Sequence, residues 1–207
     1  MEKRMRNMMV TSAAVAGLSL AGGASSAADG EPLTIVVHVT NHAGTPSADL
    51  ARAQVEMQRI FDGIDVRAVW SDIAEGPNHR ACEGLNLFVS LLSPYMSERL
   101  SAQGVGDSVL GSASVAGGRI FIHSKRVSER AARALVDESV LLGRVIAHEI
   151  GHMVLPGVGH TRTGIMVANI ETDPTGLAAR FTSDQARAIR ARLEKAGRSE
   201  ERANCGN

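Results

Sequence analysis

Residues 145–166 read Val-Ile-Ala-His-Glu-Ile-Gly-His-Met-Val-Leu-Pro-Gly-Val-Gly-His-Thr-Arg-Thr-Gly-Ile-Met, and the fold is decided here. His148 and His152 stand four apart, so on a helix one imidazole lies a turn above the other and the pair can grip a single metal ion. Glu149 is rotated about 100° from His148 at 3.6 residues per turn. It can stand beside such an ion without ligating it and take a proton from a water there. Leu155-Pro156-Gly157 ends the helix, because proline lacks the N–H that the next turn needs. Catalytic zinc takes three protein ligands and keeps a fourth position open. The chain can double back at Pro156-Gly157 and Gly159, which makes His160 the candidate third ligand. Glu171 is the alternative, but residues 169–175 contain Pro174 and read as loop.

The run from His148 to Met166 resembles the metzincin signature, HExxHxxGxxH followed by a methionine turn, most closely in its small bacterial secreted forms. The resemblance implies one catalytic zinc ion on His148, His152 and His160, Glu149 as general base, and Met166 as an apolar floor beneath the histidines. It departs from the family pattern in two ways. Seven residues, not five, separate His152 from His160, and Leu155 stands where the family has glycine. No tyrosine follows Met166, since the single tyrosine is Tyr95.

Outward from this stretch, residues 33–40 read as a buried strand. Residues 48–62 carry a helical pattern with Leu50, Val55, Met57, Ile60 and Phe61 on or near one face, and Gly63 at the C-cap. Residues 64–70 alternate as a second strand, 71–84 read as loop and 85–92 as a third strand. Residues 93–107, with Pro94, Gly104 and Gly106, read as loop. Residues 109–116 form a weak strand of small residues that turns at Gly117-Gly118 into a strand at 119–123. By the family resemblance, 109–116 is the edge strand above the cleft, where an extended substrate adds by backbone hydrogen bonds; a plain edge strand is the other reading. One helix is expected from somewhere in 129–139 to Val154. Thr182 to Gln185 spells a capping box that opens a last helix to about Ala196. The fold class is therefore α+β, a metzincin-like twisted mixed sheet with an active-site helix, a Met-turn and a C-terminal helix. His38 and His123 lie in strands and read as packed or surface residues, Met153 reads as core, and none of His38, His42, His79 and His123 has ligand spacing.

The chain has 207 residues, with Lys+Arg and Asp+Glu equal at 22 each, so no basic excess points to nucleic acid. Lys3, Arg4 and Arg6 precede an uncharged stretch that ends in Ser25-Ser26-Ala27, the pattern of a secretory signal over residues 1–28. A retained membrane anchor is the rival reading, disfavoured by the Gly, Ser and Thr content. Residues 29–207 then form a single catalytic domain, exported to the periplasm or the extracellular space, with no stable membrane association. An oxidising compartment permits a Cys82–Cys205 disulfide; two free thiols are equally compatible with the sequence. The expected activity is zinc-dependent endopeptidase action on a peptide or protein substrate. A non-catalytic zinc-binding metzincin fold and a zinc hydrolase of non-peptide amides are the alternatives.

Overall fold

The computed structural model describes residues 32–72, 84–155, 157, 159–170 and 179–204. The proposed signal segment, Cys82, Cys205, His79 and Glu171 lie outside these residues. Five strands form one sheet, β1 (Thr34–Asn41), β2 (Arg67–Asp72), β3 (Leu85–Leu91), β4 (Gly111–Ser114) and β5 (Arg119–Ile122), in the order β2-β1-β3-β5-β4. The first four in that order run parallel, and β4 closes one edge antiparallel to β5. The helices are α1 (Ser47–Asp62), α2 (Pro94–Ser101), α3 (Ser124–Ala134), α4 (Glu138–Val154) and α5 (Ser183–Asn204). This is the mixed α+β architecture expected from the sequence. Among the described residues no helix is long and apolar enough to cross a membrane.

Alternation along the strands sorts the side chains. Ile35, Val37 and Val39 of β1 join Leu87, Val89 and Leu91 of β3 and Ile120 and Ile122 of β5 in the core. The register seats Val37 beside Leu87, Val89 beside Ile120 and Leu91 beside Ile122, so one sheet face is a continuous aliphatic surface. Helices α1 and α4 both contribute to the core on that face. α1 supplies Ala53, Met57, Ile60 and Phe61, at the 3.6 period. Val55, expected on this face, is 68% exposed, because two residues' rotation from Met57 carries it to the opposite side. α4 is buried nearly all round, as suits a central helix, its buried polar residues including Arg144, His148 and Glu149.

The helix expected to start between 129 and 139 and to end at Val154 is α4, and a separate helix, α3, precedes it. Leu135 takes a left-handed conformation (φ 56°) and ends α3, and the Asp137 side chain then caps α4 by accepting from the Val140 N–H at 3.0 Å. Residues 93–107 are not all loop. Ser93 caps α2 by accepting from the Met96 N–H at 3.3 Å, and Pro94 occupies the first turn, where its missing N–H costs nothing. The Thr182–Gln185 capping box forms as read, with the Thr182 N–H on Gln185 Oε1 at 2.9 Å and the Gln185 N–H on Thr182 Oγ1 at 3.3 Å. Helix α5 runs on past Ala196 to Asn204. His38 lies in β1, bonds Asn86 at 2.8 Å and stacks on Phe88. His123, expected in a strand, follows β5 at the start of α3 and is buried with its Nδ1 2.5 Å from Ser97 Oγ.

α1 and α4 cross at close range because position 143 is glycine. A Cβ there would collide with the Ala53 carbonyl and stand 3.0 Å from Glu56 Cβ. Beside this crossing the buried Arg144 donates to Glu56 at 3.1 Å, and Glu56 is also held by Arg59 at 2.7 Å. Gly143→Ala in an exposed helix would stabilise by about 1 kcal/mol through helix propensity. Here the colliding atom is backbone, so overpacking of about 1–3 kcal/mol should win. Thermal or urea unfolding should show Gly143→Ala less stable than the parent; a gain in stability would contradict this packing.

Candidate metal centre

The site is built on the C-terminal half of α4 and on the chain that folds back beneath it. α4 points His148, buried at 5% exposure, and His152, half-buried, toward the same space, and His160 reaches it from the returning loop, on the solvent side. His148 Nε2 and His152 Nε2 are 3.0 Å apart, and one ligand nitrogen from each of the three histidines lies within 4.8 Å of the others. Tetrahedral zinc with Zn–N of about 2.0–2.1 Å sets its nitrogens about 3.3 Å apart. The α4 pair already stands near that separation, and His160 sits on a loop able to close the remainder. The three rings pack at centroid distances of 4.7–5.2 Å.

His148 is oriented by the backbone. Its Nδ1 lies 2.7 Å from the Ile165 carbonyl oxygen. A carbonyl only accepts, so Nδ1 carries the hydrogen and Nε2 keeps a lone pair for a metal. Burial, partly countered by that bond and helped by the neighbouring His152 and His160, pulls the His148 pKa down to about 4. His148 is therefore neutral, as a ligand must be, across the physiological range.

The turn that presents the Ile165 carbonyl is closed on itself. Thr161 N–H donates to the Met166 carbonyl at 2.8 Å, and Ile165 N–H donates to the Arg180 carbonyl at 2.7 Å. Gly164 (φ 79°) permits the reversal, and a Cβ there would stand 2.7 Å from the Arg180 carbonyl oxygen. Gln185 ties the α5 cap to this turn, its Nε2 donating to Thr161 Oγ1 at 3.4 Å. Met166 is fully buried, and its sulfur packs on the backbone of Gly151, where a side chain would collide with it. Gly151 lies between the two α4 histidines, so Met166 does lie against the helix that carries them.

Glu149 is 6% exposed, and burial raises its pKa to about 7. It faces β4, and a Cβ built on Gly111 would stand only 2.7 Å from Glu149 Cγ and 2.8 Å from Oε1. The structure thus brings together His148, Glu149, His152, His160 and Met166. The roles of Gly111, Gly151 and the Ile165 carbonyl were missed from the sequence: two are glycines and the third is backbone, and none carries a chemical signature.

No family model and no curated protein matches the chain. Among solved structures, it is similar to a zinc-dependent peptidase from Methanocorpusculum labreanum strain Z, with 16% identity, TM-score 0.46, 76% of this chain and 99% of that one covered. It is also similar to an archaemetzincin from Methanopyrus kandleri, with 14% identity, TM-score 0.48, 80% of this chain and 99% of that one covered. At these scores neither likeness carries an argument, and the functional reading rests on the site.

Two predictions follow from this geometry. Met166→Ala leaves a void under α4 and should cost about 2–5 kcal/mol, read by thermal unfolding, while the protein still binds one equivalent of zinc; a variant as stable as the parent contradicts the buried floor. The second concerns pH in metal-free protein. The folded pKa values of His148 and His123 are lowered from 6.5 to about 4 by burial, so the unfolded chain binds more protons and stability falls as pH drops through 6.5 toward 4. Glu149, raised from 4.5 to about 7, acts oppositely: its contribution is present below about 4.5 and lost as pH rises through about 7. Glu149→Gln should therefore raise the melting temperature at pH 8 and steepen the acid loss between pH 6.5 and 4.5. A melting temperature at pH 8 equal to or below the parent's contradicts the burial of this carboxylate.

Proposed function

We propose that this chain is a zinc-dependent endopeptidase in which His148, His152 and His160 hold one catalytic zinc ion and Glu149 is the general base. The carrying observation is the convergence of three imidazoles with a buried carboxylate on the same helix. The donor set suits zinc: three nitrogens, one with its tautomer set by a carbonyl, and an open solvent side where His160 is exposed. When bound, zinc supplies Lewis acidity that brings the pKa of water toward about 7 and polarises a carbonyl. Glu149 accepts the proton of the attacking water and returns it to the departing amine nitrogen. A pKa near 7 allows one carboxylate to do both. A merely structural zinc site has no use for this residue, since burying a carboxylate is costly.

β4 forms the sheet edge beside α4 and Glu149, so an extended peptide pairing with its free side would pass the site. A peptide or protein is therefore the substrate we assign. The same reading includes export, supported by the charge pattern of residues 1–28, and a single catalytic domain over residues 29–207.

The test compares bound zinc and casein hydrolysis in two variants. Glu149→Gln should retain zinc and fold, with hydrolysis down by about 100- to 1000-fold. His160→Ala should lose zinc affinity and recover partial activity at high zinc. Full activity in Glu149→Gln ends the mechanism, and full zinc affinity in His160→Ala removes the third ligand.

A further inference from the structure

We infer that Gly111 is a positioning residue for Glu149, the bare backbone of β4 forming the wall that fixes the carboxylate beside the histidine cluster. The inference rests on the reading of Glu149 as the base, but the contact behind it does not.

Strand β4 runs antiparallel to β5, with Gly111 paired to Ile122 and Ala113 to Ile120. Residues 111 and 113 share one face of the strand, and Ala113 packs against the core, so Gly111 faces inward as well. What lies inward of Gly111 is the Glu149 side chain. A methyl group at position 111 would meet Cγ at 2.7 Å, Oε1 at 2.8 Å and Cδ at 2.9 Å, three successive groups of one side chain. All three are shorter than Cβ contacts in folded proteins, so Glu149 or the strand would have to move. The glycine is not there for a turn. Its φ lies outside the left-handed region, where the positive-φ glycines among the described residues are 44, 84, 104, 118, 157 and 164. Glycine in a strand interior is disfavoured by backbone entropy and marks a close approach, and the group approaching here is the carboxylate.

The alternatives for Glu149 are limited by its surroundings. α4 is buried on nearly every side along this stretch, Ile150 and Ala147 being fully inaccessible. A side chain at 111 would thus swing the carboxylate along the helix, toward or away from the imidazoles, instead of out into water. A displacement of about 1 Å at a reacting group is enough to cost about 100-fold in rate. The same wall limits the rotamers of Glu149, so the glycine orders the carboxylate before any substrate arrives.

The experiment is a double-substitution cycle on full-length protein with Gly111→Ala and Glu149→Ala, singly and together, read by thermal unfolding with and without zinc. Gly111→Ala should lower the melting temperature by about 5 °C when Glu149 is present. In the Glu149→Ala background the same change should cost nothing, because the colliding atoms are gone. Zinc binding by Gly111→Ala should equal the parent's, with casein hydrolysis down at least about tenfold. Combining Gly111→Ala with Glu149→Asp, whose carboxylate is retracted by one methylene, should restore the melting temperature. Equal destabilisation in both backgrounds would make Gly111 a purely structural strand residue and overturn the inference, as would a Gly111→Ala protein with parental stability and hydrolysis. Should Glu149→Gln prove fully active, the reading of Glu149 as base fails, and the melting cycle still decides whether Gly111 holds that side chain in place.

Discussion

The hydrogen bond from His148 Nδ1 to the Ile165 carbonyl joins the two halves of the site. On one side of it stands α4, immobilised among core residues and crossed by α1 at Gly143. On the other stands a six-residue reversal, clamped by backbone bonds from Thr161 to Met166 and from Ile165 to Arg180. The bond settles three matters together. It selects the His148 tautomer, aims Nε2 at the other imidazoles and fixes how far the returning chain can drift from the helix. Met166 completes the clamp, since its sulfur lies on the one α4 residue in that turn without a side chain. The pattern is a side chain set by its supporting groups more than by its own rotamer preference.

Much of this was legible in the sequence, for identifiable reasons. The four-residue spacing of His148 and His152 needs only helix geometry to converge, and the proline-glycine stop needs only the missing N–H. The parallel strands β1 and β3 showed as apolar runs, and the Thr182–Gln185 box was readable because capping chemistry is local. Reading failed where the determinants were conformational or distant. Helix α3 went unread, and it ends at a leucine in the left-handed region, a conformation that its residue type argues against. Helix α2 carried its signal, Ser93-Pro94, but the later glycines at 104 and 106 drew the whole stretch into a loop reading. Val55 was assigned to the wrong face because its apolar character was weighed above its helical phase.

The longer spacer before His160 altered less than its sequence suggested. Gly157 takes a left-handed conformation (φ 81°), and the chain still brings His160 within reach of both α4 histidines. The three histidines differ sharply in their surroundings: His148 is buried, His152 half-buried and His160 exposed. Preorganisation therefore decreases from the core outward. The innermost histidine is held by core packing and a backbone carbonyl, and the outermost by a surface loop.

The strand order has a consequence for how the chain is assembled. Four parallel strands and the antiparallel edge are complete by residue 122, but the central helix that covers them runs from 138 to 154. Ile165, Met166, Phe181 and Ile189 enter the same core later still. A chain emerging from its N-terminus thus carries a finished strand set whose aliphatic face has only α1 to cover it. Crossover pairings of this kind pay loop-closure entropy before any contact returns it, and uncovered apolar surface is the common origin of misassociation. The histidine cluster belongs to the segment that ends this exposure, so the helix that carries two of its members is also the one that closes the fold.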